Sequence, residues 1–366
     1  MGKSVLLLGV YVSQHGGVYR AVCEEIADRL EERGWRVTRS SGVKSRPRRL
    51  LDMLVTTWRA RREYQLGYIE VFSGLGFIQA EACAFLLRAL GKPIVLALHG
   101  GNLPEFARRN PARVRRLLGM AAAITAPSDY LRAALSEYTR TPILLMPNAL
   151  EIAAYPFRLR AQPAPRLVWL RALHSIYNPV MAVEVVDRLR STFPDVHLNM
   201  VGPDKGDGAL QAVQAAIAER GLQHHITLTG GVPKSDVPVW LEKADVFIST
   251  TNFDNTPVSV MEALTSGLPV VSTNVGGVPA LVTHDEQALL VPAGDASAMA
   301  QAVERILTEP GLSERLSCAG HAHASQFSWT TMLPRWESLF SSLMSFSVTQ
   351  RGMSGEQPTA GEEQHH

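Results

Sequence analysis

The chain has 366 residues, 46% apolar and 19% charged, a globular composition that excludes a fibrous or low-complexity protein. That length exceeds one ordinary domain and suits two of about 150–180 residues, each able to bury a core without disulfide or metal staples. The net charge of +2 hides an asymmetry: residues 1–160 hold 24 Lys and Arg against 13 Asp and Glu, and the remainder 12 against 21, so the first body is expected to meet something anionic.

In chain order, short apolar runs bounded by turn residues predict strands at 4–10, 35–39, 67–72, 93–98, 121–126 and 142–146, with helical patterns between them. The clearest helix is 18–33, with Val18, Val22, Ile26 and Leu30 at i, i+4 spacing and Gly34 as its stop. Residues 147–165 are rich in Pro and aperiodic, which places an inter-domain linker at 151–165. The alternation then restarts, with strands at 166–171, 196–202, 226–229, 245–249, 269–272 and 288–291. A last helix is expected over 331–346, started or kinked at Pro334, before a polar, disordered tail over 347–366. The pattern is α/β: two doubly wound, Rossmann-like domains, 1–150 and 166–330, with ligands beyond the carboxyl ends of the strands.

Cys23, Cys83 and Cys318 are odd in number and lack metal-ligand spacing, so reduced, buried thiols in a cytosolic protein are expected. No signal-peptide pattern is visible, and AEACAFLLRAL, broken by Arg88, falls far short of the roughly 18–20 apolar residues that span a bilayer. The expected location is cytoplasmic, free or peripheral on the inner face of the membrane.

The most informative segment is Asn252-Phe253-Asp254-Asn255-Thr256-Pro257, which follows the apolar run DVFIST and opens a helix reaching about Ser266. Thr256 suits the N-cap and Pro257 the first helical position. The free N–H groups of Val258 and Ser259, with the helix dipole, then make an anion site. Asp254 before the cap suits a sugar hydroxyl, and Glu262 two turns on suits paired ribose hydroxyls. The bland alternative makes the Thr-Pro and Gly267 mere punctuation and Glu262 a solvated acid.

This segment resembles the Glu-x7-Glu region of family 4 retaining glycosyltransferases, with Asp254 in place of the first acid and Glu262 as the second. NFDNTPVSVMEA and the following GLPVVSTNVGGVPALV are similar to a bacterial subgroup, and the resemblance extends over roughly residues 4–340. It implies a GT-B fold, two Rossmann-like domains facing a central cleft with a C-terminal helix crossing back to the first. It also implies a nucleotide-diphosphate sugar donor, retention of anomeric configuration and no metal cofactor. Carried over by position, Gly16 and Gly17 match the glycine loop, Arg171 the diphosphate clamp, His99 the histidine that contacts the transferred sugar, and Val232 a turn against the base. Asn255, Thr256, Val258 and Ser259 complete the donor set. The family's usual Lys-Gly after the arginine reads Asn178-Pro179 here, so Asn178 either donates one neutral hydrogen bond to the donor or caps the next helix. The loops Val201-Gly202-Pro203 and Val275-Gly276-Gly277 read as cleft walls needing compact residues. Two other readings remain: a nucleotide-sugar epimerase on the same scaffold, and a catalytically weak nucleotide-sugar-binding partner protein.

From Arg36 to Arg62 nine cations accompany the single acid Asp52, and Arg108, Arg109, Arg113, Arg115 and Arg116 form a second cluster. Between Arg46, Arg48, Arg49 and Arg59, Arg61, Arg62 lies LLDMLVTTW, which puts Leu50, Leu51, Leu54, Val55 and Trp58 on one helical face. This reads equally as a contact with an anionic membrane or as an ordinary helix packing its stripe on a sheet. The acceptor is expected to be a glycan or lipid-linked glycan in polysaccharide biosynthesis. Nucleic acid is not expected, because no aromatic platform accompanies the charge.

Overall fold

The computed structural model describes residues 2–11 and 21–353, with side chains as far as Ser345. The first half runs β1 (Ser4–Leu8), α1 (Val22–Glu32), β2 (Arg36–Ser40), α2 (Arg46–Arg59), β3 (Leu66–Val71), α3 (Leu75–Ala89), β4 (Ile94–Leu98), α4 (Leu103–Arg109), α5 (Pro111–Leu118), β5 (Ala123–Ala126), α6 (Asp129–Ser136) and β6 (Ile143–Leu145). The second runs β7 (Arg166–Leu170), α7 (Pro179–Leu189), β8 (His197–Val201), α8 (Ala209–Arg220), β9 (Ile226–Gly230), α9 (Val237–Glu242), β10 (Val246–Ser249), α10 (Val258–Thr265), β11 (Val270–Thr273) and α11 (Val278–Leu281). It ends with β12 (Leu289–Val291), α12 (Ala296–Thr308), α13 (Leu312–Ala324) and α14 (Trp329–Met353).

Each expected strand is present within two residues of its expected bounds, and every pairing is parallel. Parallel strands are covered by helices on both faces, which is why β1, β3 and β4 are buried throughout and read as continuous apolar runs. The strand orders are β2-β1-β3-β4-β5-β6 and β12-β11-β10-β7-β8-β9. The direction in which successive strands are added therefore reverses between β1 and β3 in the first sheet and between β7 and β10 in the second. These are two doubly wound, Rossmann-like sheets in the GT-B arrangement.

In the first half, Leu6, Ile69 and Leu96 pack against α2 to α5, and Val5, Leu7 and Tyr68 pack against α1 and α14. The C-terminal helix thus crosses back to close the first sheet, with Phe340 edge-on to Trp35 at 5.9 Å and Trp336 edge-on to Tyr68 at 5.6 Å.

Several expected boundaries are corrected. The last helix starts at Trp329 and reaches Met353, so it covers 347–353 of the expected tail, whose residues 354–366 lie outside those described. Ser328 accepts the Thr331 N–H at 3.1 Å and caps it. Pro334 then falls early enough that its missing N–H costs a single bond to the carbonyl of Thr330. The described part of α1 begins at Val22, and Val18 lies outside it. The aperiodic stretch is fastened to the second half: Arg160, 1% exposed, donates to the carbonyls of Ser266, Leu241 and Arg158. Cys23 and Cys83 are buried, but Cys318 is exposed. Among the described residues no helix is long and apolar enough to cross a membrane.

Candidate active site

At the switch point of the second sheet, the loops leaving β7 and β10 meet. Arg171, the first residue after β7, forms an ion pair with Asp254 in the loop after β10, and its guanidinium stacks over Tyr177 at 4.5 Å. Asp254 also accepts the backbone N–H groups of Asn255 and Thr256; burial nevertheless holds its pKa above the usual carboxylate value, against the pull of Arg171. These bonds shape the turn and displace the expected cap. Pro257 is the N-cap and α10 begins at Val258, while the Thr256 hydroxyl is buried without a partner.

Glu262 lies one turn further along α10 and is 3% exposed. Its Oε1 accepts from the Tyr155 hydroxyl at 2.8 Å and pairs with Lys234. A cavity of about 870 Å³ gathers Arg171, Val232, Val258, Ser259 and Glu262, which the sequence singled out. It also contains Tyr155, Lys205 and Lys234, which the sequence reading left without a role at this site. Lys205 reaches the cavity because its loop is zipped to the one after β7: Leu173 exchanges bonds with Pro203 and Lys205, and Asp207 accepts the Ser175 N–H at 2.8 Å. The Asp204-Lys205-Gly206-Asp207 run was the available signal. It brings Lys205 to the cavity that Arg171 also lines.

Asn178 lines neither this cavity nor the next. It turns the chain into α7 with φ 45° and ψ 56°, makes no side-chain cap bond, and leaves Tyr177 facing the ligand space. Gly16 and Gly17 lie outside the described residues.

Tyr177 also lines an adjoining cleft of about 560 Å³ that holds His99, Asp254, Asn255 and Thr256. The His99 ring stacks on Phe72 at 5.6 Å, and its Nε2, buried and without a hydrogen-bond partner, stands 3.9 Å from Glu70 Oε1. Burial pushes His99 down to about 4 and Glu70 up to about 7. The imidazole is therefore neutral at neutral pH, a polar contact that carries no charge. Glu70 escaped the sequence reading because it sits inside a strand; an acid within LGYIEV with no nearby cation was the only sign.

Asn255 accepts from Ser128 of the first half, and the Phe253 ring rests on Gly101, where a Cβ would come within 2.2 Å, and against Tyr130 at 5.5 Å. A Cβ on Gly277 would approach the Asn255 carbonyl to 1.7 Å, so the wall at 275–277 does need compact residues. Among the described residues, no three His, Cys, Asp or Glu are grouped to hold a metal ion.

Residues 158–323 match the family model described as glycosyl transferases group 1. Over 367 residues the chain is 23% identical to a GDP-mannose-dependent alpha-(1-6)-phosphatidylinositol monomannoside mannosyltransferase of Mycobacterium tuberculosis, covering 94% of this chain and 90% of that protein. It is 28% identical to a D-inositol 3-phosphate glycosyltransferase of Jonesia denitrificans over 182 residues, which span 47% of this chain and less than half, 42%, of that protein. Among solved structures it is similar to sucrose-phosphate synthase from Thermosynechococcus elongatus, with a TM-score of 0.78 and 17% identity over 94% of this chain and 100% of the other. Residues 158–323 therefore resemble the glycosyl transferases group 1 family, in a chain whose fold is GT-B.

Proposed function

We propose that the chain is a retaining hexosyltransferase that moves a sugar from a nucleoside diphosphate to a glycan or lipid-linked acceptor. The observation that carries this reading is the single cavity shared by Arg171, the start of α10 and Glu262. Both internal bonds of Glu262 fall on Oε1, which leaves Oε2 to accept a ribose hydroxyl. The diphosphate then lies against the Val258 and Ser259 N–H groups, Arg171 and Lys205, and the transferred sugar occupies the adjoining cleft beside His99 and Asp254. As the bond from the anomeric carbon to the phosphate oxygen breaks, the two cations and the helix start meet the charge developing on the leaving group, with no resident metal required. The acceptor oxygen attacks from the face the diphosphate leaves, and its proton passes to the departing phosphate oxygen.

Glu262→Gln should weaken UDP or GDP binding by about 1.5–3 kcal/mol, roughly 10- to 150-fold, as expected for lost hydrogen bonds to a charged group. Arg171→Lys, which loses the planar fork, should lower turnover by about 100-fold. Titration calorimetry and donor-consumption assays read the two effects. Unchanged binding and turnover in both variants would overturn the assignment.

The same proposal includes a peripheral contact with anionic membrane. On α2 the core takes Met53 and Thr57, while Leu51, Val55 and Trp58 are 63%, 37% and 54% exposed. Of the two sequence readings, the exposed stripe favours the membrane. Arg46, Arg48, Arg59, Arg61 and Arg62 make no ion pair among the described residues, and α3 adds exposed Leu75, Ile78 and Phe85.

A further inference from the structure

The first sheet has a switch point of its own, between β1 and β3, where a doubly wound sheet opens a crevice beyond its strand ends. A cavity of about 360 Å³ lies there, bounded by the ends of β1 and β3 and the first turns of α2 and α3. That volume is within the range of small-ligand sites. None of Arg171, Val258, Glu262 or His99 lines it.

Its walls are of three kinds. Met53, Phe72, Leu75 and Ala80 are apolar. Arg46 and Arg49 stand together at the start of α2, and neither has a carboxylate partner among the described residues. Arg49 is held in place by the carbonyls of Val43 at 2.8 Å and Lys44 at 3.2 Å, and burial followed by the Arg46 charge lowers its pKa. Two adjacent guanidinium groups without a counter-charge favour an anion, and phosphate suits their planar donors. At the inner end stands Glu70, which also lines the cleft holding His99 and Asp254. A ligand filling this cavity therefore presents its inner end to the transfer site. Leu75 belongs both to the cavity and to the exposed apolar face, so the outer end continues onto that face.

We propose that this cavity is the acceptor subsite and that it takes an anionic amphiphile. The ligand's phosphate pairs with Arg46 and Arg49, its apolar portion lies along Phe72 and Leu75, and its hydroxyl donates to Glu70. The inference rests on the glycosyltransferase reading and deepens it by naming the acceptor's chemical class.

The test uses the full chain and three soluble ligands: dodecyl phosphate, neutral dodecyl maltoside and inorganic phosphate, titrated against the wild type, Arg46→Gln and Leu75→Glu. Both substituted side chains are exposed, so folding is not at stake. Dodecyl phosphate should bind at least about tenfold more tightly than dodecyl maltoside, and either substitution should cost about tenfold. Inorganic phosphate should bind more weakly than dodecyl phosphate and still lose affinity in Arg46→Gln. Equal affinity for the neutral amphiphile, or dodecyl phosphate binding unchanged in both variants, overturns the proposal. UDP and GDP titrations on the same samples separate the two readings. Nucleotide affinity that holds steady while dodecyl phosphate binding falls supports the subsite. A wild type that binds dodecyl phosphate but neither nucleotide overturns the donor reading, and the acceptor role with it.

Discussion

Glu70 and His99 face each other at the inner end of the cleft and titrate in opposite senses. Burial lifts Glu70 from 4.5 to about 7, while the N–H groups of Cys23 and Val10 favour its ionised form and Glu24 opposes it. The folded state thus holds the Glu70 proton more tightly than the unfolded chain, and stability is lost as pH rises from about 4.5 through 7. Burial lowers His99 from 6.5 to about 4, so its contribution is present above about 6.5 and is lost as pH falls toward 4. The slopes oppose each other between about 4.5 and 6.5, and above that Glu70 acts alone. Glu70→Gln keeps the shape and removes the titration. Its melting temperature relative to the wild type should therefore climb between about pH 4.5 and 7 and level off above that. Two parallel melting profiles across that window would show that the folded state holds the Glu70 proton no more tightly than the unfolded chain and that burial does not govern it.

Among the elements, α14 shows how a distant segment completes a domain. Phe340 is fully buried against Trp35 and Tyr68, with ring centroids 5.9 and 6.2 Å away. Phe340→Ala should cost about 3–5 kcal/mol of stability, read as a lower denaturant midpoint, while UDP or GDP affinity stays within about twofold, since the donor cavity is lined mainly by other elements. A cost below about 1 kcal/mol would mean that α14 only rests on the surface. The strands were legible in the sequence because helices cover both their faces, leaving unbroken apolar runs such as IVLAL. Asp254 and Glu262 were legible because they flank the punctuated start of α10, and Arg171 because its place after β7 matches the family it resembles. What stayed hidden depended on contacts distant along the chain: Tyr155 reaches Glu262 across 107 residues, and Lys205 is delivered by a loop-to-loop zipper. Periodicity also showed that α2 is amphipathic without showing which stripe faces inward. Met53 and Thr57 do, and Leu54 packs partly against that core, whereas Leu51, Val55 and Trp58 stay exposed.

At the scale of the whole molecule, the charges are sorted between the two halves, +11 over residues 1–160 and −9 beyond them. Such a dipolar body turns its basic end toward a negative surface before any contact is made. The exposed face of α2 and α3 then adds apolar insertion to that attraction, with Arg61 lying over the Trp58 ring at 4.1 Å and Arg116 over Phe85 at 5.5 Å. Each cation near an anionic leaflet contributes about 1 kcal/mol, and a buried aromatic side chain about 1.5–3 kcal/mol. Co-sedimentation with vesicles rich in anionic lipid should therefore be strong at about 0.1 M salt and largely lost at about 1 M, where the Debye length falls from about 10 to about 3 Å. Trp58→Asp should weaken it at either salt, because it removes the inserted ring and adds repulsion, whereas neutral vesicles should bind little of either protein. A wild type left in the supernatant with anionic vesicles at low salt would remove the membrane from the proposal. The donor cavity would be unaffected by that result, since none of the exposed residues of α2 lines it.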